Sequence, residues 1–394
     1  MPTLNPKQAL DGNVSPTAFD IFTSFLKIGM TAFGGPAMAI YIKAMVVDKK
    51  KWLDEETFRQ GVALCQTLPG AIAVNVASYA GYRTLGLPGM IAAFAGFTLP
   101  AFLLMFVFSV LYIRTRSLPV MSSLFSGLEI IVVSIVFHAA ATFGRKALCH
   151  PGDFILFAIG ALLLFFKINP FVVIVIVALT GIFIYRWIGA ESTPEARQPA
   201  GTKRDLFLIA AFFAVGLAVL WIFSRKLFDL AWVMAKIELF AFGGGYTALT
   251  LMFHEVVGVH RWLDHQTLMD GVALGQITPG PILITAAFIG YIIGDFAGAL
   301  VGTIAIFTPG MFLIVAILPL FDRLRSSSLF LRAIRGTISC FVALLLYVAL
   351  KFAFAVHWDV KHFLFLAGSL GGLLAGIDIL YVVFAGAVAA VLFL

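Results

Sequence analysis

Two lysines stand six residues ahead of two glycine clusters: Lys27 before Phe33-Gly34-Gly35-Pro36, and Lys236 before Phe242-Gly243-Gly244-Gly245. Each lies well inside an apolar stretch, where an unpaired charge is costly and marks a functional position. Glycine pairs weaken a helix and Pro36 removes a backbone donor, so both clusters predict a helix broken at mid-membrane. Such a break frees N–H groups and exposes the positive end of a half-helix dipole, which suits an anion. A second pair of breaks, at Gln66 to Pro69-Gly70 and at Gln276 to Pro279-Gly280-Pro281, adds amide donors from Gln66 and Gln276. Asn75 and Thr285 share a matched position further on and can donate as well. Taken singly, each feature has a structural reading: a snorkelling lysine, close packing through small residues, a glutamine bonding between helices. Their recurrence at matched positions favours a site for an oxyanion.

The remaining ionisable groups are less regular. Glu238 stands where the first half has Gly29, two residues from Lys236 and on a different helix face. It is a candidate for carrying a coupling proton, as is Glu129, which shares the 122–145 stretch with His138. A polar contact between helices is the alternative for both. Arg83 has no basic counterpart in the second half and reads as an anion contact or an interfacial anchor. Trp52-Leu53-Asp54 recurs as Trp262-Leu263-Asp264, with the tryptophans suited to the membrane interface and the aspartates to helix N-caps.

The elements that must position these residues follow from composition. Of 394 residues, 61% are hydrophobic and 12% charged, and the mean hydropathy is +1.03. Soluble domains carry about twice that share of charge, so the chain reads as an all-α polytopic membrane protein. Three scattered cysteines and seven scattered histidines form neither a disulfide framework nor a metal site. Walker A, GxGxxG and HExxH motifs are absent from the sequence, so no cofactor, metal or ATP-driven pump is expected. The net charge of +7 fits flanking Lys and Arg at lipid headgroups rather than nucleic acid. The polar start lacks the pattern of a cleaved signal peptide.

Runs long enough to span a bilayer fall near 18–47, 61–83, 87–113, 122–145, 153–168, 170–187, 206–224, 228–254, 268–293, 296–321, 330–354, 360–376 and 377–394. These thirteen segments contain an internal repeat: the lysine–glycine blocks match at an offset of 209, and "GVALCQTLPGA" matches "GVALGQITPGP" at 210. The predicted organisation is a polar tail (1–16), a first repeat with trailing spans (17–188), a linker with an extra span (189–227) and a second repeat with trailing spans (228–394). Six spans plus the extra one is odd, which predicts an inverted repeat; a parallel duplication is the alternative. Lys and Arg do not settle sidedness, with a lean to a cytoplasmic 189–205 linker.

The FGGP/FGGG pair, the repeated Trp-Leu-Asp, the two Gln-x-x-Pro-Gly segments and "AGYRTLGLPG" together resemble the chromate ion transporter family in its long two-domain form. The resemblance spans nearly the whole chain. It implies a duplicated, inverted domain and export of chromate from the cytoplasm across a bacterial inner membrane, conferring resistance. It also implies roles for Phe33, Gly34, Gly35, Pro36, Gln66, Pro69, Gly70 and Arg83, and for Phe242 to Gly245, Gln276, Pro279, Gly280 and Pro281. Expected partners are chromate, the lipid bilayer and a second copy in a homodimer. Sulfate has nearly the same shape and charge, so residue chemistry alone reaches only "oxyanion", leaving sulfate uptake or exchange as the alternative. A channel or an intramembrane enzyme is the rival class, and no paired catalytic groups point to the latter.

Overall fold

A computed structural model describes residues 16–31, 38–116, 118–187, 203–321, 327–356 and 358–393. The first glycine cluster, Phe33 to Pro36, lies outside the described residues. The first half comprises α1 (Ala18–Thr31), α2 (Met38–Lys43), α3 (Glu55–Thr67), α4 (Ile72–Thr115), α5 (Pro119–Ala147), α6 (Pro151–Phe165) and α7 (Pro170–Ile184). An additional helix, α8 (Lys203–Phe223), precedes the second half. That half repeats the order as α9 (Arg225–Phe240), α10 (Gly245–Met252), α11 (His265–Ile277), α12 (Thr285–Ile317), α13 (Ser328–Ala355), α14 (Val360–Leu374) and α15 (Ile379–Phe393).

The matched local chemistry produces matched geometry. α2 and α10 run on into wider π-helical turns, Ala44–Lys49 and Phe253–Val259. Each is followed by a basic residue in left-handed conformation, Lys51 and Arg261, both at φ 53°. Asp54 and Asp264 then cap the next helix, accepting from Thr57 N–H at 2.8 Å and Thr267 N–H at 2.7 Å. The Thr57 amide and hydroxyl hold the Asp54 carboxyl below its ordinary range, with a smaller push from Arg83. Asp54→Ala and Asp264→Ala should each cost about 1 kcal/mol, read as a lower melting temperature in detergent.

Two long helices turn back on themselves. α4 leaves helical geometry at Leu85 and Gly86, and α12 at Gly294 and Asp295, so each is a pair of membrane limbs joined by a tight reversal. The limbs approach through glycine. A Cβ on Gly81 would lie 2.2 Å from the Gly89 carbonyl oxygen, and one on Gly290 2.1 Å from that of Gly298. These reversals fall at the gaps expected after residues 83 and 293. Three of the thirteen predicted segments are not single helices: 61–83, 228–254 and 268–293 are each interrupted, while residues 32–37 of the segment 18–47 lie outside the described residues.

The halves interlock. α4 packs on α12 and α5 on α13, each pair being equivalent elements from opposite halves. α6 and α7 of the first half pack on α13 of the second, while α14 and α15 return the exchange on α5. A buried ion pair pins one side, where Arg335 Nε on α13 donates to Asp153 Oδ1 on α6 at 3.1 Å and Tyr185 OH bonds the same carboxylate. The other side has a hydrogen-bonded counterpart, Ser126 Oγ with His362 Nε2 at 3.2 Å. Five described helices are long and apolar enough to cross a membrane, and α8 leaves nearly all its surface outward. This is a multi-pass, all-α membrane protein.

Candidate functional site

The broken segments of opposite halves meet. Gly70 N–H, in the turn between α3 and α4, donates to Ala241 O in the turn between α9 and α10 at 2.9 Å. One residue on, Ala71 N–H donates to Glu238 Oε1 at 3.3 Å. Glu238 is 1% exposed, and its second oxygen has no hydrogen-bond partner. Asn75 is equally buried, but its amide is already committed to the Pro69 carbonyl at 3.1 Å. One of its two N–H groups therefore braces the break. Gly310 of α12 closes the cluster, since a Cβ there would fall 2.4 Å from Asn75 Oδ1 and 3.2 Å from Glu238 Oε1.

In the second half, Gly243 and Gly244 take φ of 91° and 101°, which breaks the chain before α10 begins at Gly245. Phe242 is partly buried beside them. The neighbours nearest a Cβ on Gly245 are the apolar side chains of Leu283 and Ile282. The turn Thr278 to Pro281 ends α11, with Pro279 and Pro281 buried and Gly280 at φ 116°. Beside it lies a cavity of about 310 Å³. Gln276, Thr278, Gly280, Tyr246 and Asp378 line it from the second half, and His138, Thr142 and Lys146 of α5 from the first. The Gln276 side chain lies within reach of the Tyr246 hydroxyl, and Lys146 is exposed. Lys146 and the Gln276 amide thus share one cavity with the Asp378 side chain.

The remaining predicted residues are placed elsewhere. Lys236 is not an isolated cation: its Nζ is 2.7 Å from Glu255 Oε2 and 4.6 Å from the Phe171 ring centroid. Glu255 is buried, with His260 Nε2 at 3.7 Å and His254 Nε2 at 4.0 Å. Lys27 is exposed on α1, turned from the face formed by Ile21, Phe25 and Ile28, and has no partner among the described residues. Gln66 is exposed on α3. Arg83 sits near the reversal of α4 with one guanidinium nitrogen buried and unpartnered. Glu129, 7% exposed and with one unpartnered oxygen, faces α11, where Tyr112 OH donates to Asp270 Oδ2 at 2.9 Å. Among the described residues, no group of His, Cys, Asp and Glu is placed to hold a metal.

Sequence reasoning missed Glu255, Asp270, Tyr246 and Lys146. Glu255 lies nineteen residues past Lys236 and beyond a helix break, so no helical spacing links them. Lys146 reads from sequence as an ordinary basic helix end.

Residues 19–182 and 228–391 each match the family model described as Chromate transporter. The chain belongs to the chromate transporter family. This family member is 39% identical to an uncharacterized transporter of Methanocaldococcus jannaschii, over 91% of this chain and 90% of that protein. It is 27% identical to a chromate transport protein of Pseudomonas aeruginosa, over 73% of this chain and 70% of the relative. A chromate transport protein of Cupriavidus metallidurans is 28% identical, over 76% and 73%. No solved structure matches this chromate transporter family member. The two matched stretches hold α1 to α7 and α9 to α15, leaving α8 outside both.

Proposed function

We propose that this protein is a secondary transporter that exports chromate from the cytoplasm across a bacterial-type inner membrane and so confers resistance. Its two halves, read as inverted, alternate access to sites at their broken helices. The observation that carries this reading is the cavity against the second-half break, where the Gln276 amide, beside Tyr246, and Lys146 supply donors and positive charge on a wall shared with Asp378. A tetrahedral dianion satisfies both groups at once. Outward movement of a dianion from a negative interior is favoured by about 2.3 kcal/mol per charge per 100 mV, so the membrane potential is a sufficient drive and a proton gradient an additional one.

Chromate flux into proteoliposomes under an imposed potential or pH gradient, with sulfate as competitor, tests substrate, direction and drive together. Saturable flux that sulfate does not abolish supports chromate; preferred movement of sulfate turns the reading to a sulfate transporter. Gln276→Leu keeps the side chain's bulk and removes the donor. A hydrogen bond to a charged group is worth about 1.5–3 kcal/mol, so chromate flux at low substrate should fall roughly tenfold or more at unchanged protein level. Wild-type flux in that variant would remove Gln276 from the site.

A further inference from the structure

The unexplained group in this fold is the Glu238 carboxylate. It comes from the second half yet lies at the start of α4 in the first, and only Glu238 Oε1 is bonded, to Ala71 N–H at 3.3 Å. The first turn of α4 has N–H groups without helical acceptors and the positive end of the limb's dipole, the same chemistry that would receive an oxyanion. Room for the carboxylate is made deliberately small on both sides. A Cβ on Gly70 would sit 1.9 Å from Glu238 Oε1, and one on Gly310 3.2 Å from the same atom.

The arrangement is not shared by the other half. Glu238 corresponds to Gly29, whose Cα side is filled by the Phe97 carbonyl, 2.4 Å from where a Cβ would be. Gly280, the counterpart of Gly70, meets the methyl of Ala101 instead of a carboxylate and opens on the cavity described above. One seat thus opens on a cavity, which Asp378 also lines, and the other is filled by the Glu238 carboxyl group. The groups facing Glu238 are the backbone of Gly70 and Ala71, the Asn75 amide and Gly310 of α12. Among the described residues no charged side chain from α8, α10 or α12 pairs with it, and nearby Lys236 is bound to Glu255.

We propose that Glu238 is a tethered stand-in for the substrate oxyanion, occupying the first-half seat at the start of α4 and vacating it when it takes up a proton. The inference rests on the oxyanion reading of the breaks and assigns that seat its regulation. Two negative groups cannot share a seat in a low-dielectric interior, so ionised Glu238 competes with the dianion. The protonated acid carries no charge and leaves the α4 terminus free. Proton uptake and anion binding are thereby linked at one atom pair.

Two measurements on the full chain in lipid nanodiscs decide this. The first needs no anion: hydrogen exchange of the Gly70–Asn75 amides, corrected for intrinsic rate, followed from about pH 8 down to about pH 5. Wild-type protection should fall with pH, and Glu238→Gln, which is never charged, should show a flat profile. The same profile in both proteins overturns the proposal. The second is equilibrium chromate binding at about pH 8. A tethered competitor lowers apparent affinity by the fraction of protein left competent, so Glu238→Gln should bind about twofold or more tighter than wild type. Weaker or unchanged binding overturns the stand-in role. If neither protein binds chromate, the chromate reading fails, while the exchange profiles still decide whether the Glu238 charge holds the α4 terminus.

Discussion

Lys236→Met is expected to cost about 3–5 kcal/mol of stability, because it strands a buried carboxylate without its counter-ion. Glu255 is 2% exposed and Lys236 32%, and this asymmetry predicts unequal single variants. Removing the lysine leaves a charge that cannot reach water. Glu255→Gln leaves a partly exposed ammonium that can re-solvate along its own stem, so its cost should be distinctly smaller. His260 and His254, at 3.7 and 4.0 Å, offer Glu255 only a partial substitute. A Lys236→Met/Glu255→Leu double variant should recover most of the loss, since apolar replacement of a buried pair is often neutral. Thermal unfolding of the four proteins in detergent gives the cycle. A Lys236→Met protein as stable as wild type would mean that the ion pair does not hold the π-helical turn. The pair also changes what Lys236 can do: its charge is committed, so an anion reaches it only by competing with Glu255.

Gly70→Ala carries the second large effect. Gly70 has φ 97°, a region L-residues occupy at a cost of about 1–3 kcal/mol. A methyl group there would also overlap the Glu238 carboxylate, 1.9 Å from Oε1, and overpacking adds about 1–3 kcal/mol. The two costs fall on the one turn where the halves are bonded through Gly70 N–H and Ala241 O, so both folding yield and transport should collapse. Gly280→Ala is the graded comparison. Its φ is 116°, but the nearest atom is an Ala101 methyl at 2.9 Å, so it should be the milder variant. Gly216→Ala meets nothing within 4 Å on the outward helix α8 and should be neutral or gain up to about 1 kcal/mol. Equal yields for Gly70→Ala and Gly216→Ala would refute the packing argument.

Much of the architecture was legible before any coordinate. Apolar run length marked the spans, proline and glycine marked the interruptions, and the two aspartates after Trp-Leu announced helix starts that Asp54 and Asp264 do cap. Those are local properties, set by backbone donors, φ preference and side chains within a turn of one another. The interruptions at Gly243-Gly244 and at Gly280 follow from the same local chemistry, as their positive φ values show.

Partnership was not legible. Asn75 read as a donor to an anion, and one of its N–H groups bonds the Pro69 carbonyl, six residues away across a turn. Lys236 read as a free cation and is half of an ion pair. Glu238 looked like a charge without a place, and its place lies 167 residues back at Ala71. No sequence spacing encodes such contacts. They arise because two halves, each unable to bury its own broken helices, exchange terminal helices and cover each other's interruptions. Residue type and local spacing dictated the breaks at Gly70, Gly243-Gly244 and Gly280. Which break stays open and which is closed by a carboxylate depends on long-range packing in a medium without water, where every freed backbone group must find its partner inside the protein.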